Sequence, residues 1–434
     1  MKSTKTDRDL QRDQRDLPAD RATDVPERAD AYRQRRRTHV HRSETGAGPL
    51  AGLRVLEIAG LAPGPFACTL LTDLGAEVLR VDRASDVDPR QHGSTDPLAR
   101  GRRSLAVDLK HPDGAALVRR LAAHADVLVE GFRPGVAERL GIGPEDCLPL
   151  NSRLVYGRIT GWGQSGPLAP RAGHDITYLA VSGALGLMGP PDRPPVPPVN
   201  LVGDFGGGGM LLVVGILAAL YERERSGQGQ VVDAAMVDGA ALLTTALHGL
   251  RAAGQWQGGR GQNLLDGGAP FYTTYETADG GHMAVGPLEE KFYAQLLAGL
   301  GLADDLNLPE QYDRERWPEL RQRLASAFKE RTRDEWTAVF DRSDACVAPV
   351  LSPWEAHRHP HNAARSVFTE TGGVRQPAPA PRFERTQGGI QGPPPVPGQD
   401  TRTALAAWGV DTAEADRLLA AAAVVQHPHT GESR

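Results

Sequence analysis

Cysteine is scarce in this 434-residue chain: Cys68, Cys147 and Cys346 stand far apart, odd in number and without metal-ligand spacing. Neither a disulfide framework nor a metal site is expected, and a reducing, cytoplasmic compartment is the default. Long apolar runs are missing too. The longest, Met210 to Tyr221, falls short of the ~20 residues that span a bilayer, so it is expected as a buried helix and no membrane partner is expected. The amino-terminal stretch lacks the apolar centre of a signal peptide, and the final residues Gly431 to Arg434 form no peroxisomal tripeptide. No single sign of charge dominates. The net charge is -5; residues 1–47 carry 12 Lys+Arg and 9 Asp+Glu, which leaves 37 against 45 for the rest. An acidic body argues against a nucleic-acid partner. The chain also lacks GxxxxGK[ST], and its first strand-to-helix turn, Ala59 to Phe66, is not GxGxxG. Nucleotide hydrolysis and dinucleotide binding therefore have no motif to stand on.

What is present falls into blocks. Residues 1–47 mix both charges with few large apolar side chains beyond Leu10, Leu17 and Tyr32, so they are expected to be a disordered tail; the basic run Arg35 to Arg37 reads as part of it. From Leu53, short apolar runs (LRVLEIAG, EVLRVD, SLAVDL, DVLVEG, RLVYGRI) alternate with amphipathic stretches such as FACTLLTDLG and GAALVRRLAAH. Strands alternating with helices imply an α/β fold with a mostly parallel sheet, a Rossmann-like large domain over 48–233. Helices are expected at Gly209–Arg225 and Ala234–Leu250 with a strand at Gln230–Val232 between them, and residues 234–272 are read as a linker helix. The hairpin pattern at Gly267–Gly286 and helices at Glu289–Leu300 and Arg314–Val339 make a smaller α+β domain over 273–355. A Pro- and Gly-rich stretch reads as a return strap, 356–410, that completes the large domain, and 411–434 as a carboxyl-terminal tail.

Two motifs carry chemistry. GHDITY places His174 before Asp175, and LVGDFGGGGM sets Asp204 ahead of four glycines. A histidine and a carboxylate converging on one small substrate make two bases. Glycines let backbone N–H groups approach a developing oxyanion, or equally let helices pack closely.

The stretch PVPPVNLVGDFGGGGMLLVVGILAALYERERSGQGQVVDAAMVDG resembles the family III coenzyme A transferases and, more closely, their alpha-methylacyl-CoA racemase branch. The resemblance runs over residues 48–410. It implies a racemase or epimerase that acts on 2-methyl-branched acyl-CoA esters through an enolate, with no cofactor beyond the CoA of its substrate. His174 and Asp204 would be the two bases. Glu289, preferred over Glu276 and Glu290, would pair with the histidine. Burial is expected to hold the Asp204 carboxyl above the usual range, since it must be neutral when His174 is the base. Arg83, Lys110, Arg133 and Arg139 would hold the CoA phosphates, with Tyr178 beside the coenzyme and Asp175 in a supporting hydrogen bond. The family further implies an interlocked homodimer. The rival reading is a CoA transferase with Asp204 as nucleophile, and a third is a non-catalytic acyl-CoA-binding protein. Two bases and a carboxylate partner favour the racemase, because a transferase needs no second base.

Overall fold

The computed structural model describes residues 47–428; the tail expected over 1–47 lies, but for Ala47, outside the described residues, as do the last six positions. Six strands form the body of the first sheet: β1 (Arg54–Ile58), β2 (Glu77–Arg83), β3 (Arg103–Val107), β4 (Val127–Glu130), β5 (Val155–Thr160) and β6 (Val231–Ala235). Three more, β7 (Thr273–Glu276), β8 (His282–Val285) and β9 (Val347–Pro349), make an antiparallel sheet. β10 (Phe368–Thr371) and β11 (Val374–Pro377) form a hairpin, and β12 (Val424–Val425) returns to the first sheet. The order there is β12-β3-β2-β1-β4-β5-β6, parallel throughout except for β12. β1, β4 and β5 are buried along almost their whole length. Such burial suits a sheet covered on both faces, and the buried charged residues within these strands are paired, Glu57 with Arg102 and Glu130 with Arg158.

The labelled helices are α1 (Pro63–Asp73), α2 (Pro112–Ala122), α3 (Asp175–Ser182), α4 (Leu211–Ser226), α5 (Met236–Leu242), α6 (Thr245–Ala252), α7 (Glu290–Leu300), α8 (Trp317–Phe328), α9 (Arg333–Phe340), α10 (Thr401–Ala407) and α11 (Thr412–Ala420). α1 and α2 each open on a proline, whose missing N–H costs nothing in a first turn. Leu56, Leu79, Leu105, Leu117, Leu121 and Trp408 share one core, while Val55, Leu71, Val129, Leu212 and Ile216 share the core on the other side of the sheet. A separate core unites Phe271, Met283, Leu296, Trp317, Leu324, Phe328 and Trp336.

Three expectations need correction. Residues 234–250 do not form one helix: β6 runs on to Ala235, and α5 ends before Thr244, whose hydroxyl donates to the Ala241 carbonyl at 2.7 Å and competes with the helical ladder. Residues 411–428 are not a tail. The Asp411 carboxylate caps α11 by accepting the Glu414 N–H at 2.8 Å, Ala415 and Leu418 are buried, and Val424 and Val425 pair with Val107 and Ala106. That apolar face covers a sheet edge that would otherwise leave backbone groups unpaired. Finally, the apolar run at Met210 is part of a continuous 26-residue helix, Leu201–Ser226, long and apolar enough by length and composition to cross a membrane. Here Leu212, Val213, Ile216, Ala219 and Leu220 belong to the core under the sheet.

Candidate active site

With strand order 3-2-1-4-5-6, the connections leave β1 and β4 in opposite directions, and a crevice opens where they part at the carboxyl ends of the strands. A cavity of about 620 Å³ occupies that place. Its walls are the turn after β1 (Ala59 to Pro65), the turn after β4 (Gly131 to Pro134), and the segment after β5 that carries Gly161 and Trp162. His174, Tyr178, Asp204, Arg83 and Arg133 all line it.

Local structure explains how the two motifs meet. His174 stands in extended conformation at the head of α3, its N–H donating to Thr177 Oγ1 at 3.0 Å and its carbonyl accepting the Thr177 N–H at 2.8 Å. The imidazole is exposed to the cavity. Asp204 lies in the first turn of a π-helical stretch, Leu201–Met210, that runs directly into α4. The wide turn shows in the Phe205 N–H donating five residues back, to the Asn200 carbonyl. Asn200 Nδ2 donates to Asp204 Oδ2 at 3.2 Å. The Asp204 carboxyl is held above the usual range, first by burial, then by the charge of Asp175, against lowering by Asn200 and His174. This is the direction a two-base mechanism needs.

The glycines resolve in favour of packing. A Cβ on Gly207 would lie 2.7 Å from the Ala240 N of α5, and one on Gly209 2.8 Å from the Pro63 carbonyl at the start of α1. The Asp204 N–H is likewise not an oxyanion donor: it donates to Asp175 Oδ1 at 2.7 Å. The helix starts bordering the cavity are those of α1 and α3. Pro63 and Pro65 have no N–H, and the Phe66, Thr177 and Tyr178 N–H groups donate to the Ala62 and His174 carbonyls, which among the described residues leaves the Gly64, Asp175 and Ile176 N–H groups as the helix-start donors.

Tyr178 is buried and meets the Trp162 ring edge-on, centroids 4.8 Å apart. Gly173 leaves room for it, since a Cβ there would come 2.5 Å from the phenol ring. The Tyr178 hydroxyl is pushed up by burial and by Asp204, and lowered by Arg133. Arg83 ends β2 and Arg133 follows β4 by three residues; both are exposed at the cavity mouth. Lys110 and Arg139 are also exposed beside neighbouring strand ends but do not line the cavity. Neither does Glu289. It precedes α7 as an exposed residue, and its charge acts on Tyr312 and Cys346. Among the described residues, none beyond Met236 lines the cavity.

Sequence reasoning missed the turn after β1, where Ala62 adopts φ 42° before Pro63, Gly64 and Pro65. A strand followed by alternating prolines and glycines was the available signal. It also left Trp162 without a role, although its indole borders the site with a buried Nε1 that has no hydrogen-bond partner among the described residues. Asn200, the direct partner of Asp204, was missed because only the fold brings it back across one wide turn.

A doubly wound sheet with a histidine and a carboxylate lining its switch-point crevice has the architecture of an α/β enzyme. The particular kind follows from comparison: residues 50–401 match CoA-transferase family III, and the chain belongs to that family. It is 52% identical over 340 residues to the alpha-methylacyl-CoA racemase of Mus musculus, covering 78% of this chain and 87% of the mouse protein. Against the alpha-methylacyl-CoA racemase of Homo sapiens it is 49% identical over 338 residues, with the same shares covered. A crystal structure of a CAIB/BAIF family protein from Brucella suis superposes with a TM-score of 0.73 at 27% identity, covering 83% of this chain and all of that one.

Proposed function

We propose that the protein interconverts the two epimers of 2-methyl-branched acyl-CoA thioesters by removing the proton beside the carbonyl on one face and returning one to the other. The observation that carries this reading is the meeting of His174 and Asp204 in one cavity, with the Asp204 carboxyl pushed toward its neutral form. In one direction neutral His174 takes the α-proton while protonated Asp204 donates on the opposite face; in the other the roles exchange. The enolate oxygen is stabilised from the starts of α1 and α3. The CoA phosphates lie toward Arg83 and Arg133, with Lys110 and Arg139 farther along the same rim. The reaction needs no cofactor beyond the CoA of the substrate. Glu289 supports the histidine from the partner subunit of a homodimer.

The family description favours a second reading, CoA transfer with Asp204 as nucleophile. One incubation separates the two. A single 2-methylacyl-CoA epimer in deuterated water, with no acceptor acid, should gain deuterium at C2 as it racemises. No exchange, together with CoA transfer to an added carboxylic acid, would replace the racemase reading with the transferase. Within the racemase reading, His174→Ala and Asp204→Asn should each lower epimerisation by a factor on the order of 100. Wild-type turnover in both would remove the two-base assignment.

A further inference from the structure

Asp175 follows His174 directly, yet it is buried, only 8% exposed. Its Oδ1 accepts the Asp204 N–H at 2.7 Å across 29 residues of chain. Its Oδ2 is buried too and has no hydrogen-bond partner among the described residues. Gly203 makes room for this carboxylate, because a Cβ at that position would stand 2.9 Å from Asp175 Cγ. A buried carboxylate with one bare oxygen is costly. A neutral amide of the same shape would accept the Asp204 N–H through its oxygen and leave its NH2 as bare as Oδ2 is now, but it would bury no charge, so the charge itself needs a reason.

We propose that Asp175 is a positioning residue for the proton transfer: it ties the Asp204 backbone to the segment carrying His174, so that one carboxylate fixes the spacing of both bases and sets its charge beside Asp204. The charged and polar groups facing Asp204 are His174 and Asp175 at the start of α3, Asn200 on its own stretch, and Tyr178 with Arg133 behind it. Of these, Asp175 is the one whose charge opposes ionisation of Asp204, after burial itself. The active free enzyme carries one proton between His174 and Asp204, so its alkaline limb is the loss of that proton from Asp204. Removing the Asp175 charge makes that loss easier, and the limb moves to lower pH. Both reaction directions shift alike, since they draw on the same singly protonated enzyme.

The inference rests on the two-base reading, and the experiment keeps the two apart. The pH dependence of kcat/KM, with kcat and KM at saturation, is measured for Asp175→Asn and Gly203→Ala beside His174→Ala and Asp204→Asn. Asp175→Asn keeps an oxygen acceptor for the Asp204 N–H. We expect it to melt like wild type, to lower kcat roughly tenfold with KM unchanged, and to move the alkaline limb to lower pH. A purely structural role would leave that limb in place. Wild-type kcat with an unmoved limb overturns the positioning role. If Asp175→Asn does not fold, Gly203→Ala decides: its methyl displaces the carboxylate, and a lowered kcat with a shifted limb supports the proposal whereas an unchanged profile refutes it. Full activity in His174→Ala and Asp204→Asn would instead remove the two-base reading, whatever Asp175→Asn does.

Discussion

Arg133 leaves the sheet three residues after β4 and faces the cavity mouth, so on the proposed reading it would meet a part of the substrate remote from the reacting carbon. Binding lost there is shared by ground and transition states. Arg133→Ala should therefore raise KM for the CoA ester on the order of tenfold while leaving kcat near wild type. Steady-state kinetics at low salt test this, and an unchanged KM would take Arg133 out of the phosphate site. Arg83→Ala should behave in the same way. Lys110→Ala and Arg139→Ala should have smaller effects, because their side chains are exposed outside the cavity wall and their pull on a phosphate is screened by solvent.

At the scale of elements, the π-helical stretch and α5 approach so closely that both need glycine: a Cβ on Gly207 would lie 2.7 Å from the Ala240 N, and one on Gly239 would overlap the Gly207 backbone. Backbone cannot rotate aside as a side chain does. Gly207→Ala should destabilise by about 1–3 kcal/mol, visible as a lower midpoint in denaturant, and should also lower turnover because Asp204 lies one turn earlier on the same helix. A wild-type midpoint would show that the helices separate freely. The same contact marks what was legible beforehand. β1 to β5 were readable as apolar runs, and His174 and Asp204 as polar residues beside glycine, because those are local patterns. The purpose of the glycines was not, since their partners on α1 and α5 are distant in sequence. The chain after residue 410 was misread for a related reason: Leu418 and Val424 look like sparse apolar residues until β3 offers an edge for them to cover. Glu289 was legible as the residue at the head of α7, whereas the pairing with His174 proposed for it would need a subunit contact, on which local sequence patterns do not bear.

At the scale of the whole molecule, the cavity gathers two bases and two cations from residues no later in the chain than Met236, while Glu289 stands on the element that follows β8, against a separate core. The strap returning from that second core is anchored early: Arg100 donates to Gln376 Oε1 at 2.7 Å and to the Pro377 carbonyl at 2.9 Å, and pairs with the buried Asp73 of α1. On the proposed reading, in which Glu289 pairs with His174, that carboxylate would have to come from a second copy. His174→Ala chains and Glu289→Ala chains should each be inactive alone. After the two are co-refolded, a mixed dimer would place both lesions in one site and leave the other intact. With random pairing, about half the dimers are mixed and each has one working site of two, so about a quarter of wild-type racemase activity should return. Differently tagged chains, purified through both tags, establish that mixed dimers have formed. If those dimers stay inactive, His174 and Glu289 act within one chain, and the shared site is wrong even though each residue alone is required.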